Sequence, residues 1–140
     1  GPVLNDWLKR RALPNHLMRA SRTFVIADPA HRVLGYYALS ARAVAHQQAT
    51  GSIRRNMPDP IPVMVLARLA TDRRTRGMHL GGALLKDAVQ RSFSVAHDTG
   101  VRALLVHALN DAARKFYEHY GFHASPAHPM TLMLRISLVT

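Results

Sequence analysis

Between Thr71 and Gly82 the chain reads Thr-Asp-Arg-Arg-Thr-Arg-Gly-Met-His-Leu-Gly-Gly, a loop that interleaves basic residues with glycines. It follows the apolar run Val63–Leu69 and precedes a helical pattern reaching about His97. A buried strand, a basic glycine-bearing loop and a helix form the arrangement in which free amides at a helix N-terminus face an anion, with pyrophosphate as the natural guest. The loop lacks the Gly-Lys-Ser/Thr ending of a Walker sequence, and no Gly-x-Gly-x-x-Gly occurs, so ATP and NAD are disfavoured. Residue types exclude other chemistries. Without cysteine, thiolate nucleophiles, thiolate zinc sites and disulfide frameworks drop out together. The histidines show no paired metal-ligand spacing, since His119 and His123 straddle Gly121, and no metal site is expected. Glu118 is the sole glutamate, and no general base stands out.

The elements that must position this loop follow from the surrounding pattern. Leu4, Trp7, Leu8 and Arg11/Ala12 recur at helical spacing behind Asn5 or Asp6 as a cap until Pro14 interrupts, which predicts two short helices. Thr23–Ala27 and Val33–Ser40 are β-rich and flank the turn Asp28-Pro29-Ala30-His31, which predicts a hairpin. Residues 47–60 carry Gly51, Asn56, Pro58, Pro60 and the pair Arg54-Arg55 and read as a loop. The near-continuous apolar run Val63–Leu69 predicts a strand buried on both faces. In the helix from Leu80, Leu84 and Ala88 continue one stripe with Leu85, Val89 and Phe93 beside it, a face broad enough to pack on a sheet. Ala103–Ala108 is a further buried strand, Asp111–His119 a helix, and Met130–Val139 a closing strand. This mixed order, without internal repeat or linker, predicts a single α/β (α+β) domain over residues 3–140. Gly1-Pro2 reads as the scar of a cleaved tag.

Composition narrows the partners. The 140 residues carry 19 Lys+Arg against 8 Asp+Glu, a formal net charge of +11, and 48% are hydrophobic. That much apolar content excludes a disordered polyelectrolyte, so the excess charge sits on a folded surface. Sixteen of the basic residues are arginine, whose planar fork binds phosphate bidentately, and the implied partner is a polyanion: RNA, DNA or a phosphorylated cofactor. No stretch approaches the roughly 20 apolar residues of a membrane span, and a soluble, cytoplasmic protein without membrane contact is expected.

The residues together resemble a known family. Val65-Leu66-Ala67-Arg68-Leu69-Ala70-Thr71-Asp72, Arg76-Gly77-Met78-His79-Leu80-Gly81-Gly82-Ala83-Leu84-Leu85, Asn110-Asp111-Ala112-Ala113-Arg114-Lys115-Phe116-Tyr117 and Tyr120-Gly121-Phe122 are similar to the motifs of GNAT N-acetyltransferases. The stretches Trp7–Ala12, Ala20–Val25, Gly35–Leu39, Arg54–Val63 and Pro129–Met133 resemble, more narrowly, the TacT-type toxins of bacterial toxin–antitoxin pairs. The resemblance implies the GNAT fold, a mixed central sheet flanked by helices, and transfer of acetyl from acetyl-CoA to the α-amino group of aminoacyl-tRNA, which blocks translation. It also implies a homodimer neutralised by a cognate antitoxin of ribbon-helix-helix type. The strand ending Leu69-Ala70-Thr71 is then expected to splay from its neighbour and hold the pantetheine arm. Arg76, Gly77, Met78, His79, Leu80, Gly81 and Gly82 would take the pyrophosphate, with Asn110, Ala113 and Phe116 also beside the cofactor. Tyr117 is the expected acid, protonating the departing thiolate. No base is needed to make the attacking amine neutral, because α-amino groups titrate near pH 7.7–8.0 and an ester lowers that further, leaving a useful fraction neutral. Lys9, Arg10, Arg11, Arg54, Arg55, Arg73 and Arg74 are candidates for tRNA backbone contacts. Alternatives are a GNAT acting on protein N-termini, lysines or small amines, and a basic RNA- or antitoxin-binding module with impaired cofactor affinity.

Two departures from the family pattern carry physical expectations. His79 stands where the first glycine of the loop belongs, and a positive φ there costs a non-glycine residue roughly 1 kcal/mol or more, although its amide survives. The strand that normally precedes the Leu4–Leu8 segment is missing, which would leave a sheet edge open to association.

Overall fold

A computed structural model describes residues 9–14, 21–45, 49, 57–72 and 79–136, with the side chains of 9–14 excepted. The described strands form one seven-stranded sheet in the order β1-β2-β3-β4-β5-β7-β6. They are β1 (Lys9–Pro14), β2 (Ser21–Ala27), β3 (Val33–Val44), β4 (Ile61–Thr71), β5 (Ala103–His107), β6 (His123–Ala124) and β7 (Thr131–Arg135), with helices α1 (Leu80–Thr99) and α2 (Asp111–His119) between the later strands. Every neighbouring pair is antiparallel except β4 and β5. A parallel pair needs a crossover, and α1 supplies it.

The hairpin forms where the turn residues place it. Asp28 Oδ1 accepts from the amides of Ala30 and Arg32, and its Oδ2 meets Arg32 Nε at 2.8 Å, which closes the turn between β2 and β3. The start of the chain differs from expectation: Lys9–Pro14 is not helical but pairs antiparallel with β2, Lys9 opposite Ala27 and Pro14 opposite Arg22. At Arg11 and Ala12 the expected helical spacing is outweighed by an open sheet edge that offers backbone partners to six residues. The edge beside β2 is thus occupied by this strand. Residues 4–8, the second expected helix after Pro14, and most of the expected 47–60 loop lie outside the described residues.

Alternation along the strands builds two layers of core. Phe24, Tyr37, Leu39, Leu66, Leu104, Val106 and Leu132 point to one face, where Leu80, Leu84, Leu85 and Ala88 of α1 and Tyr117 of α2 pack on them. Ile61, Val63, Ala103, Leu105 and Met133 point to the other. The helix stripe is as expected at Leu80, Leu84, Leu85 and Ala88, but Phe93 is exposed and Ser92 and Ala96 fill the inward positions instead. Deeper in α1, Tyr37 donates to Asp87 Oδ2, and Arg91 Nε lies 3.0 Å from the phenol oxygen and 3.2 Å from the same carboxylate. Arg91 also stacks 4.2 Å over the Phe24 ring. This polar knot fastens α1 to β2 and β3. Helix α1 ends at Gly100, whose left-handed φ of 74° lets its amide return to Ala96 at 2.9 Å.

Candidate active site

The site begins where β4 and β5 part. Their pairing runs from Val63 opposite Ala103 to Leu66 opposite Val106. Strand β4 then continues five residues to Thr71, with Ala70 and Thr71 paired to Tyr36 and Gly35 of β3. On its β5 side the backbone from Ala67 onward has no ladder. Burial on both faces, expected for the whole run, is only partial: Val63 and Leu66 are buried, Met64 and Val65 half-buried, and Ala67 and Arg68 exposed. A bulge marks the divergence: two steps along β3, Tyr36 to Ala38, face three along β4, Ala70 to Ala67. Arg68 is the residue with positive φ, 58°, at this point. Leu69, Ala70 and Thr71 thus lie along an open strand segment that can hydrogen-bond an extended, amide-bearing guest.

Helix α1 starts beside this opening. His79 caps it in the left-handed conformation, φ 54° and ψ 31°, with no side-chain cap bond, as its place in the glycine loop predicts. The first intrahelical bond runs from the amide of Ala83 to the carbonyl of His79 at 3.2 Å. The amides of Leu80, Gly81 and Gly82 precede that bond, so they have no acceptor within the helix and present the positive end of its dipole. Packing requires glycine at position 82, where a methyl would collide with the Tyr120 hydroxyl, whereas one on Gly81 would make only ordinary contact with Phe116 at 3.8 Å. Three outward amides with no side chain over two of them fit a pyrophosphate.

Helix α2 supplies the third wall. Asn110 caps it, Oδ1 accepting from the amide of Ala113 at 2.8 Å. That commitment leaves the Nδ2 amide as the donor for a ligand, a division of labour within one side chain. Arg114 braces the helix through Glu118 at 2.8 Å and Asp111 at 3.5 Å. Tyr117 is the buried residue of α2, held between Phe116 at 5.3 Å and Phe122 at 5.6 Å. Burial pushes its phenol above the usual tyrosine range, so it remains protonated at neutral pH. Among the described residues its hydroxyl makes no hydrogen bond, and the proton stays available for donation.

The expected residues therefore divide. Leu69, Ala70, Thr71, His79, Leu80, Gly81, Gly82, Asn110, Ala113, Phe116 and Tyr117 belong to three elements that surround the β4–β5 parting. Arg76, Gly77, Met78, Arg54, Arg55, Arg73 and Arg74 lie outside the described residues. Lys9, Arg10 and Arg11 sit on β1, three strands from β4, on a strand rather than the helix expected of them. Sequence reasoning missed Arg68, a cation inside an apolar run, and the cross-strand pair His107 and Thr131. The lone arginine was a signal; the pair had none. Among the described residues no cluster of three acidic or histidine side chains could hold a metal, and no helix is long and apolar enough to cross a membrane.

A mixed sheet whose two parallel strands part beside a helix with Gly81 and Gly82 in its first turn, with a buried tyrosine on the following helix, is the arrangement of an N-acetyltransferase, and the sequence comparison agrees. The chain belongs to the acetyltransferase (GNAT) family, whose sequence profile matches residues 4–122, and it is an acetyl-CoA-dependent enzyme of that class. It is 52% identical over 133 residues to the tRNA-acetylating toxin of Mycobacterium tuberculosis (strain ATCC 25618 / H37Rv), covering 95% of this chain and 80% of the relative. It is 27% identical over 148 residues to the probable toxin TacT of Sinorhizobium fredii (strain NBRC 101917 / NGR234), covering 97% and 81%. Among solved structures, AtaT complexed with acetyl-methionyl-tRNAfMet matches with a TM-score of 0.77 at 28% identity, covering 84% of this chain and 72% of that one.

Proposed function

We propose that this enzyme transfers acetyl from acetyl-CoA to the α-amino group of an aminoacyl-tRNA, acting as a toxin that blocks translation until a cognate antitoxin neutralises it. The observation that carries the reading is that the open β4 segment, the three amides of α1 without an acceptor in the helix, and the Tyr117 phenol, unbonded among the described residues, gather around one parting of the sheet. The 52% identity to a tRNA-acetylating toxin and the net charge of +11 support tRNA as the acceptor.

Each group has a chemical role. Leu69, Ala70 and Thr71 pair with the pantetheine arm, and Asn110 Nδ2 donates to one of its amide carbonyls. Arg76 and the backbone from Gly77 to Gly82 hold the pyrophosphate, His79 contributing its amide despite its side chain. Ala113 and Phe116 wall the cofactor. The amine attacks the thioester carbonyl, and Tyr117 protonates the sulfur as the C–S bond breaks. Lys9, Arg10, Arg11, Arg54, Arg55, Arg73 and Arg74 contact tRNA phosphates. A homodimer and a ribbon-helix-helix antitoxin complete the reading, together with a cytoplasmic location where its substrate is found.

The test is direct: incubation with acetyl-CoA and total aminoacyl-tRNA, then mass analysis of the aminoacyl ends. Acetylated aminoacyl ends are expected. Acetylation confined to protein N-termini, lysines or small amines would replace tRNA as acceptor, and no heat on titrating millimolar acetyl-CoA would overturn the cofactor assignment.

A further inference from the structure

The face of the sheet turned away from α1 carries a cavity of about 480 Å³ that reaches the β4–β5 parting. Ala67 and Arg68 of β4, Leu105 and His107 of β5, Thr131 of β7 and His128 of the preceding loop belong to its lining. The bulge is what opens it. Leu66 and Leu69 both pack in the core under α1, while the two residues between them, Ala67 and Arg68, turn together into the cavity. His107 is one residue beyond the last β4–β5 pair, Leu66 opposite Val106. It stands directly across from Thr131 in the β5–β7 ladder, with its Nδ1 3.0 Å from Thr131 Oγ1. Val106 beside it points to the helix face, in the same core as Tyr117. Successive strand residues point to opposite faces, so an imidazole and the buried phenol flank the parting from its two sides.

Building on the acetyl transfer proposed above, we infer that His107, oriented by Thr131, takes the proton of the acceptor amine, which enters through this cavity. With Nδ1–H donating to Thr131 Oγ1, the Nε2 lone pair is the free acceptor. The amine nitrogen bonds to the acetyl carbon and its proton passes to His107 Nε2. The C–S bond breaks toward the helix face, where Tyr117 Oη gives its proton to the thiolate. Solvent then removes a proton from His107 and returns one to Tyr117, so the cycle closes with acetylated amine and free CoA thiol. His107 is exposed, which gives that exchange a path. Among the described residues, the other charged or titratable groups lining the cavity are Arg42, Arg68 and His128; the two guanidiniums suit the phosphates that follow an aminoacyl ester.

The experiment compares wild type, His107→Ala, His107→Gln, Thr131→Val and Thr131→Ser for kcat on aminoacyl-tRNA and, separately, for acetyl-CoA affinity by calorimetry. His107→Ala is expected to lose about 10²-fold or more in kcat with acetyl-CoA affinity unchanged, and added imidazole should restore much of the rate. His107→Gln fills the space and should be slow without rescue. Thr131→Val should lose less than His107→Ala, and Thr131→Ser should regain the wild-type rate. A His107→Ala enzyme with wild-type kcat, or one that is slow, folded and unmoved by imidazole, overturns the role of His107. A wild type that acetylates no aminoacyl-tRNA overturns the broader reading along with it.

Discussion

Tyr117 and His79 show how single side chains set this site. Tyr117 is buried without a hydrogen bond to any described residue, so its hydroxyl does little for stability. Replacing it with phenylalanine should leave thermal stability within about 0.5 kcal/mol while lowering kcat by about 10²-fold or more. Equal loss of folding and activity in a denaturation and turnover comparison would make the hydroxyl structural instead. His79 presents the reverse case, a residue strained where glycine would not be. The left-handed cap geometry costs a side-chain-bearing residue about 1–2 kcal/mol, partly offset because glycine loses more chain entropy on folding. His79→Gly should therefore be as stable as wild type or more so by up to about 1 kcal/mol, and His79→Ala should gain nothing. Thermal unfolding of the pair checks it. If His79→Gly also leaves acetyl-CoA affinity intact or tighter, the pyrophosphate loop works through its backbone amides and not through the imidazole.

At the scale of elements, the sheet and α1 are fastened by Tyr37, Asp87 and Arg91, and that knot predicts a pH effect. Burial, and then the hydrogen bond to Asp87, raise the Tyr37 phenol above its ordinary range. In the unfolded chain it ionises near pH 10, so its contribution is complete below about pH 10 and declines as pH rises above that. Tyr37→Phe should cost about 1–3 kcal/mol at neutral pH, because the buried Asp87 loses a donor, and should flatten the alkaline fall in Tm. A fall as steep as in wild type would locate the sensitivity elsewhere. Much of this architecture was legible in the sequence: Asp28-Pro29-Ala30-His31 marks the turn of the hairpin, Asp111–His119 reads as the helix α2, and the spacing of Leu80, Leu84 and Ala88 gives α1. Strand β1 was not, because Lys9–Pro14 has no alternating apolar pattern and is stabilised by pairing with β2, a tertiary partner that periodicity does not see. The bulge at Arg68 and the cavity behind it were hidden for a related reason. An extra residue in a ladder changes which neighbours face together, not the composition of the run, so the open β4 segment was read through family resemblance and the His107–Thr131 pair was missed.

For the molecule as a whole, the question is whether its charge serves the acceptor or only its solubility. A free amine of small size gains nothing from a formal charge of +11, whereas tRNA releases counterions for each phosphate that an arginine neutralises. The logarithm of kcat/KM for aminoacyl-tRNA should then fall linearly with the logarithm of salt, by roughly 0.7–0.9 per contacted phosphate. Acetyl-CoA, with few phosphates, should respond much less. Arg54→Glu combined with Arg55→Glu, far in sequence from the cofactor loop, should shallow that slope by about 1–2 and weaken tRNA acetylation while acetyl-CoA affinity holds. If both substrates weaken together, the double variant is misfolded and Lys9→Glu with Arg11→Glu at the sheet edge offers the independent reversal. Should neither pair move the slope, the basic surface is a solvated face, and recognition of the aminoacyl end must reside in the cavity beside His107.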